Sequence, residues 1–348
     1  MNKRMIAAGV VAAMMAPLAQ AGVEVYGAAY VSLDFNNNND PAAGNEDSAI
    51  SLTSYDSRLG FRGDEDLGNG LSALWQIEQQ VDFDEGTAFS SQRNTFVGLV
   101  GGFGQVIAGK HDTPYKRATS RLDIFAESKG DFNAIIGSVD DGNKLFDRRA
   151  SNTIIYTTPS INGFSAMLGY GMPDQRGDDD LPMTSRQSDR DLYSLNGSYS
   201  SGPLYVTAAY ELLNTYQNNG DSAEAMKVGG SYAIGPTTLG AIFESADEGG
   251  TDNQRNAFLV SVAHKLDGFT LKGAIAMAGE KDSEADSGAT HLALGVYRNF
   301  TKNTEVYAMY NLMSNDANAN YDLTKLNSVT GQDASALSFG INHKFSSK

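Results

Sequence analysis

The chain has 348 residues and carries 26 Lys and Arg against 42 Asp and Glu, a formal charge of −16. That balance argues against a nucleic-acid partner, which needs a basic surface. It has no cysteine, which excludes disulfide staples and thiolate metal sites.

The first segment reads as a leader. Lys3 and Arg4 precede an apolar run from Met5 to about Leu18, and Ala19, Gln20 and Ala21 form a small-residue exit. These are the parts of a secretory signal peptide over residues 1–21. The run is shorter than the roughly 18–20 apolar residues that a spanning helix needs. Its removal takes two basic residues and leaves 24 against 42 acidic ones, a formal charge of −18 for residues 22–348. No linker or composition shift divides those residues, and 37 glycines with 16 Tyr and 16 Phe suit one domain of many strands and turns.

From residue 23 onward the hydrophobic period is two. Val23, Val25, Ala29, Val31, Leu33 and Phe35 share one face, and Glu24, Tyr26, Tyr30, Ser32 and Asp34 the other. The alternation returns with Trp75 and Ile77 against Gln76 and Glu78, Leu204 and Val206 against Thr207 and Glu211, Leu271 and Ile275 against Thr270 and Lys272, and Phe339 and Ile341 against Ser338 and Asn342. Strands are expected at 23–35, 50–62, 70–82, 92–101, 104–111, 149–158, 163–171, 191–201, 203–213, 225–234, 237–245, 255–265, 268–279, 289–298, 304–314 and 335–345, sixteen in all. The faces of 92–101 remain open, because Arg93, Phe96 and Leu99 allow either register.

Short turns containing Gly, Pro or Asn alternate with longer polar connections, of which 112–148 is the longest. One end of the sheet is therefore trimmed and the other decorated. A soluble sandwich also shows alternating strands, but it buries its apolar faces against each other. Sixteen long strands with one apolar and one polar face fit an all-β, 16-stranded antiparallel transmembrane β-barrel, in which the apolar side meets lipid and closure pairs every backbone group.

Arg58 and Arg62 sharpen that reading, since they alternate with Leu59 and Phe61. An arginine facing lipid at the bilayer midplane costs about 2–4 kcal/mol. Two such charges about 6 Å apart in water repel by less than about 1 kcal/mol. The arginines are thus expected to face a water-filled lumen.

The stretches SRLGFRGDEDLGNGLSALWQIE at 57–78, FVGLVGGFGQVIAGKHDTPY at 96–115, RRASNTIIYTTP at 148–159 and SFGINHKF at 338–345 together resemble the general trimeric porins of Gram-negative outer membranes, of the neisserial and proteobacterial type. The resemblance implies a homotrimer in outer-membrane lipid, with 112–148 as a third loop folded into the lumen as its constriction. It implies passive passage of small hydrophilic solutes and ions, with no cofactor. By motif position it implies a pore constriction of Arg58, Arg93 and Arg149 against Glu78 and Asp123, with Arg62, Lys110 and Glu127 as neighbours. Whether Arg148 or Arg149 points inward is open.

Other signals are weaker. His111, His264, His291 and His343 have no metal-ligand spacing, and no Ser and His pair stands out for hydrolysis, so no enzyme is expected. The acidic run at 178–180 lacks a calcium-loop pattern. Tyr26, Tyr156, Tyr210, Phe300 and Phe345 are candidates for interfacial girdles. A non-conducting barrel acting as an adhesin or envelope anchor through its loops is the alternative function.

Overall fold

The structure is a computed structural model that describes residues 22–40, 45–140, 143–173, 191–214, 221–251, 253–326 and 330–348. The expected leader and the acidic run at 178–180 lie outside the described residues. Strand β1 is Glu24–Asp40, β2 runs in two segments, Asn45–Ser54 and Arg58–Gly68, and β3 is Leu71–Asp82. Strand β4 is also segmented, as Thr87–Gln92 and Thr95–Gly101, and is followed by β5 at Gly104–Asp112. After the long connection come β6 Arg149–Thr157, β7 Phe164–Gly171, β8 Leu192–Ser201, β9 Leu204–Leu213, β10 Ala223–Ile234 and β11 Thr237–Asp247. Then follow β12 Gln254–Leu266, β13 Phe269–Ala278, β14 Ala289–Asn299, β15 Thr304–Asn315 and β16 Ala334–Ser346.

Each strand pairs antiparallel with its neighbours in sequence, and β16 returns to β1 in a register from Tyr26↔Ser346 to Asn38↔Ala334. The sixteen-stranded sheet is therefore closed and leaves no unpaired edge, as a lipid environment demands. Its period-two sequence explains its two faces. On β1, Leu33 and Phe35 are each 41% exposed, whereas Ser32 and Asp34 between and beside them are 2% and 0% exposed. Ile77, Val97, Val206, Val260, Leu294 and Ile341 continue the exposed apolar belt around the barrel.

Local departures from the regular ladder cluster on β2, β4 and β6. The expected continuous strand 50–62 is broken at residues 55–57, where Asp56 takes a φ of +46° and the Ser57 hydroxyl replaces a ladder partner by accepting from the Tyr30 amide at 2.8 Å. The expected strand 92–101 is broken at residues 93 and 94, and its first segment extends back to Thr87. In β6 the register against β5 slips between Ala150 and Thr153, with Asn152 at a φ of +52°. Such irregularities re-aim side chains locally.

The connection 113–148 opens with a short helix, α1, at Pro114–Thr119. Thr113 caps it by accepting from the Lys116 amide at 3.3 Å, and proline occupies the first turn, where no amide partner is lost. Residues of the connection are buried together with residues of the barrel strands. Tyr115 and Phe146 are buried with Leu213, Ala223, Ala225 and Ala246, while Leu122, Ile135 and Ile136 are buried with Ile242, Ala257, Ala276 and Met313. Alanines on the wall leave the room that this second layer fills. One expectation fails here: Tyr26 is no girdle residue, since its hydroxyl donates to Glu78 at 2.9 Å on the polar face.

Candidate functional site

The two strand breaks place the charged residues. Opposite the break in β2, Ala29 and Tyr30 of β1 lack a partner in the β2 ladder while still pairing with β16, and Arg58 restarts the pairing against Ala28. Opposite the break in β4, Glu78 lies on β3 between the stretch paired with Thr95–Gly101 and that paired with Thr87–Gln92. Arg93, in that gap, donates its backbone amide to the Glu78 carbonyl at 3.0 Å and its Nε to Glu78 Oε1 at 2.8 Å. Its Nη1 lies 3.1 Å from Asp56 Oδ1, in the break of β2.

Arg58 reaches the same carboxylate, with Nη1 4.0 Å from Glu78 Oε1. Its Nη2 donates to the Tyr30 hydroxyl at 3.3 Å and also to Glu127 on the long connection. Arg58, Arg93 and Glu78 are thus brought together, joined by Asp56 and Glu127. Burial raises the Glu127 carboxyl to about 7, against the downward pull of Arg58. Arg62 lies one step further along β2, where its Nε and Nη2 each donate to Glu24 at 2.8 Å over the Tyr26 ring.

Arg149 forms a second, adjoining group. Its Nη2 is 3.1 Å from Asp112 Oδ1, and its Nε donates to Asn94 Oδ1 at 2.7 Å. Asn94 follows Arg93 and also donates to Asp112 at 2.9 Å, while Lys116 of α1 approaches Asp112 at 3.9 Å. Arg149, rather than Arg148, makes these contacts. Lys110 stands opposite Thr95 in the pairing of β4 with β5.

Asp123 is not brought to the arginines. Its two oxygens accept from the Phe125 amide at 2.9 Å and the Phe132 amide at 3.3 Å, so the carboxylate ties its own connection together. Burial and the neighbouring Asp131 push its carboxyl well above the usual range. Glu127, four residues on, is the carboxylate of the connection that meets Arg58. Asp56 is a further member, and its only signal in the sequence is a Ser-Tyr-Asp-Ser turn inside an otherwise apolar alternation. Among the described residues, no three His, Asp or Glu groups are placed to hold a metal ion.

A closed barrel with an apolar outer belt and a charged inner wall defines an outer-membrane channel. The chain belongs to the Gram-negative porin family, whose model matches residues 7–318. It is 28% identical over 366 residues to outer membrane porin protein 32 of Delftia acidovorans, covering 99% of this chain and 100% of that protein. It is 27% identical over 299 residues to the major outer membrane protein P.IB of Neisseria gonorrhoeae, covering 83% and 78% of the two chains. Among solved structures, the anion-selective porin from Comamonas acidovorans superposes with a TM-score of 0.81 at 25% identity, covering 94% of this chain and 100% of that one. The Salmonella typhi OmpF complex with daunomycin superposes with a TM-score of 0.70 at 20% identity, over 93% and 97%, a likeness of fold. The protein is a porin of the Gram-negative outer membrane, a diffusion channel.

Proposed function

We propose that the connection 112–148 lies across the lumen as a constriction, and that Arg58, Arg93 and Arg149 facing Glu78 and Glu127 filter small hydrophilic solutes and ions by size and charge. The observation that carries this reading is Arg58, which contacts both Glu78 on the wall and Glu127 on the connection. Opposed charges across a narrow water path select ions. Glu127 takes the role that the family motif gives to Asp123.

Around the passage, Arg58, Arg93, Arg149 and Lys116 stand against Asp56, Glu78, Asp112 and Glu127, so full ionisation balances four cations with four anions. Partial protonation of Glu127 near neutral pH tips that balance toward cations of the wall, which gives the channel a weak anion preference. The anion selectivity of the Comamonas relative agrees in direction. Passage is passive and the chain catalyses no reaction. The mature protein begins at Gly22 and works as a homotrimer.

The test is reversal potential and single-channel conductance in a planar bilayer under a salt gradient, for wild type and Arg58→Glu. Conductance steps in groups of three, with preference moved toward cations in the variant, support the reading. A conducting variant with unchanged preference removes Arg58 from the filter, and a folded protein without conductance favours the adhesin.

A further inference from the structure

The connection 113–148 meets the wall both by packing on alanines and by directional contacts, among them the Tyr115 amide to the Ser194 hydroxyl, Asn196 to the Pro114 carbonyl and the Tyr205 hydroxyl to the Ala118 carbonyl. Alanine offers room and dispersion contact but no fixed register. Two further wall residues form a buried pair. Glu244 on β11 and Arg255 on β12 are buried, and Arg255 Nη2 lies 3.2 Å from Glu244 Oε1.

Both limbs of the connection converge on this pair. From the outgoing limb, the Tyr115 hydroxyl donates to Glu244 Oε2 at 2.8 Å. From the returning limb, the Gly137 amide donates to Glu244 Oε1 at 2.8 Å and to Oε2 at 3.1 Å. Arg255 Nη2 also donates to the Ile135 carbonyl at 3.0 Å. Residues more than twenty apart in sequence therefore share one carboxylate. Gly137 adopts a φ of +79°, a conformation natural to glycine, and that turn aims its amide at the wall.

We infer that Glu244 and Arg255 are positioning residues that pin the connection at a fixed distance from the far wall, and thereby set the width of the passage and the placement of Glu127 opposite Arg58. A buried ion pair contributes little net stability compared with apolar residues of like volume. Its value here is geometric: a carboxylate with four oxygen lone-pair directions can gather three donors from two limbs and the neighbouring strand. The inference rests on the constriction reading above, since a pinned connection sets a width only if it borders the passage.

The experiment uses the full-length mature protein refolded into its barrel, with folding checked by heat-modifiable gel mobility. The double variant Glu244→Gln, Arg255→Met removes both charges together and so strands neither. Tyr115→Phe removes one limb's contact and leaves the pair intact. Open-channel noise is read in planar bilayers, and the size limit is read from liposome swelling in mono-, di- and trisaccharides. The double variant is expected to admit the larger sugars several-fold faster and to conduct with raised noise, and Tyr115→Phe to raise the noise alone. Arg255→Lys, which keeps a cation facing Glu244, is expected to retain the wild-type size limit.

A folded double variant with wild-type noise and sugar limit overturns the inference. If the double variant does not fold, Tyr115→Phe decides: a quiet channel overturns the inference and a noisy one supports it. Arg58→Glu measured in parallel separates the two readings. A selectivity shift there with silent anchor variants leaves the constriction standing and removes the anchor, whereas no shift removes the constriction itself.

Discussion

Arg93 is tied to Glu78 twice, by its backbone amide to the Glu78 carbonyl at 3.0 Å and by its Nε to the Glu78 carboxylate at 2.8 Å. The main-chain bond bridges the gap between the two segments of β4, and the side-chain bond neutralises a guanidinium that is almost fully buried. Removing one partner of a buried pair costs about 3–5 kcal/mol, because the other is left uncompensated. Glu78→Ala is therefore expected to lower barrel stability in urea by an amount near the low end of that range, since Asp56 still faces Arg93 at 3.1 Å. Arg58→Ala is expected to cost clearly less, because Arg58 is more open to water. Equal midpoints for the two variants would contradict the assignment.

What the sequence makes legible follows from the physics of each feature. The strands are legible because lipid and water impose opposite demands on alternate residues, and Leu33 against Asp34 or Val206 against Thr207 record that demand directly. The breaks at 55–57 and 93–94 are marked only by short polar runs, Ser-Tyr-Asp-Ser at 54–57 and Ser-Ser-Gln-Arg-Asn-Thr at 90–95, which a water-facing strand end also shows, so only pairing geometry reveals the slip. Arg58 and Glu78 are legible as charges that lipid cannot accept, whereas the alternation leaves Arg93 open and only the family motif points to it. Asp123 does not meet the arginines, because a short carboxylate readily bonds the amide two residues ahead, as it does with Phe125. Glu127, one methylene longer and held at a φ of +61°, makes the reach to Arg58 instead.

Glu127 gives the channel a pH dependence. Its carboxyl is raised to about 7 by burial, so it is charged above that pH and neutral below it. As pH falls through about 7, the passage loses one negative charge while its arginines keep theirs. Anion preference, read as reversal potential, is expected to strengthen between about pH 8 and about pH 6. Glu127→Gln is expected to show the stronger anion preference throughout and to abolish the change within that interval. A titration of the same size in the variant would assign it to another group.

The apolar belt makes an asymmetric demand on substitutions. Val260 lies midway along β12, paired with Ile275 and Ala241, and is 58% exposed. Val260→Arg is expected to lower stability in lipid by about 2–4 kcal/mol, the cost of a cation at the bilayer midplane. Val260→Leu is expected to change it little, since the added methylene meets acyl chains. Urea unfolding in vesicles measures both, and a harmless arginine at this position would mean that the belt is not centred there.

Gly137 separates the stability of the barrel from the placement of the connection. At its φ of +79° a Cβ would stand 2.7 Å from the Cβ of Asp147 and 3.0 Å from the Phe146 carbonyl oxygen. The left-handed backbone alone costs a non-glycine residue about 1–3 kcal/mol, before the clash is counted. That cost falls on the connection, while the ladder bonds of the wall are made elsewhere. Gly137→Ala is thus expected to leave the unfolding midpoint of the barrel near wild type and to loosen 113–148. Cleavage by an added protease at Lys129, followed by intact-mass analysis, reads that loosening. Lys129 is buried and faces Asp34 at 3.5 Å in the packed connection, so its cutting requires release. Faster cleavage with an unchanged midpoint is the expected result; loss of both together would place Gly137 in the folding of the barrel itself.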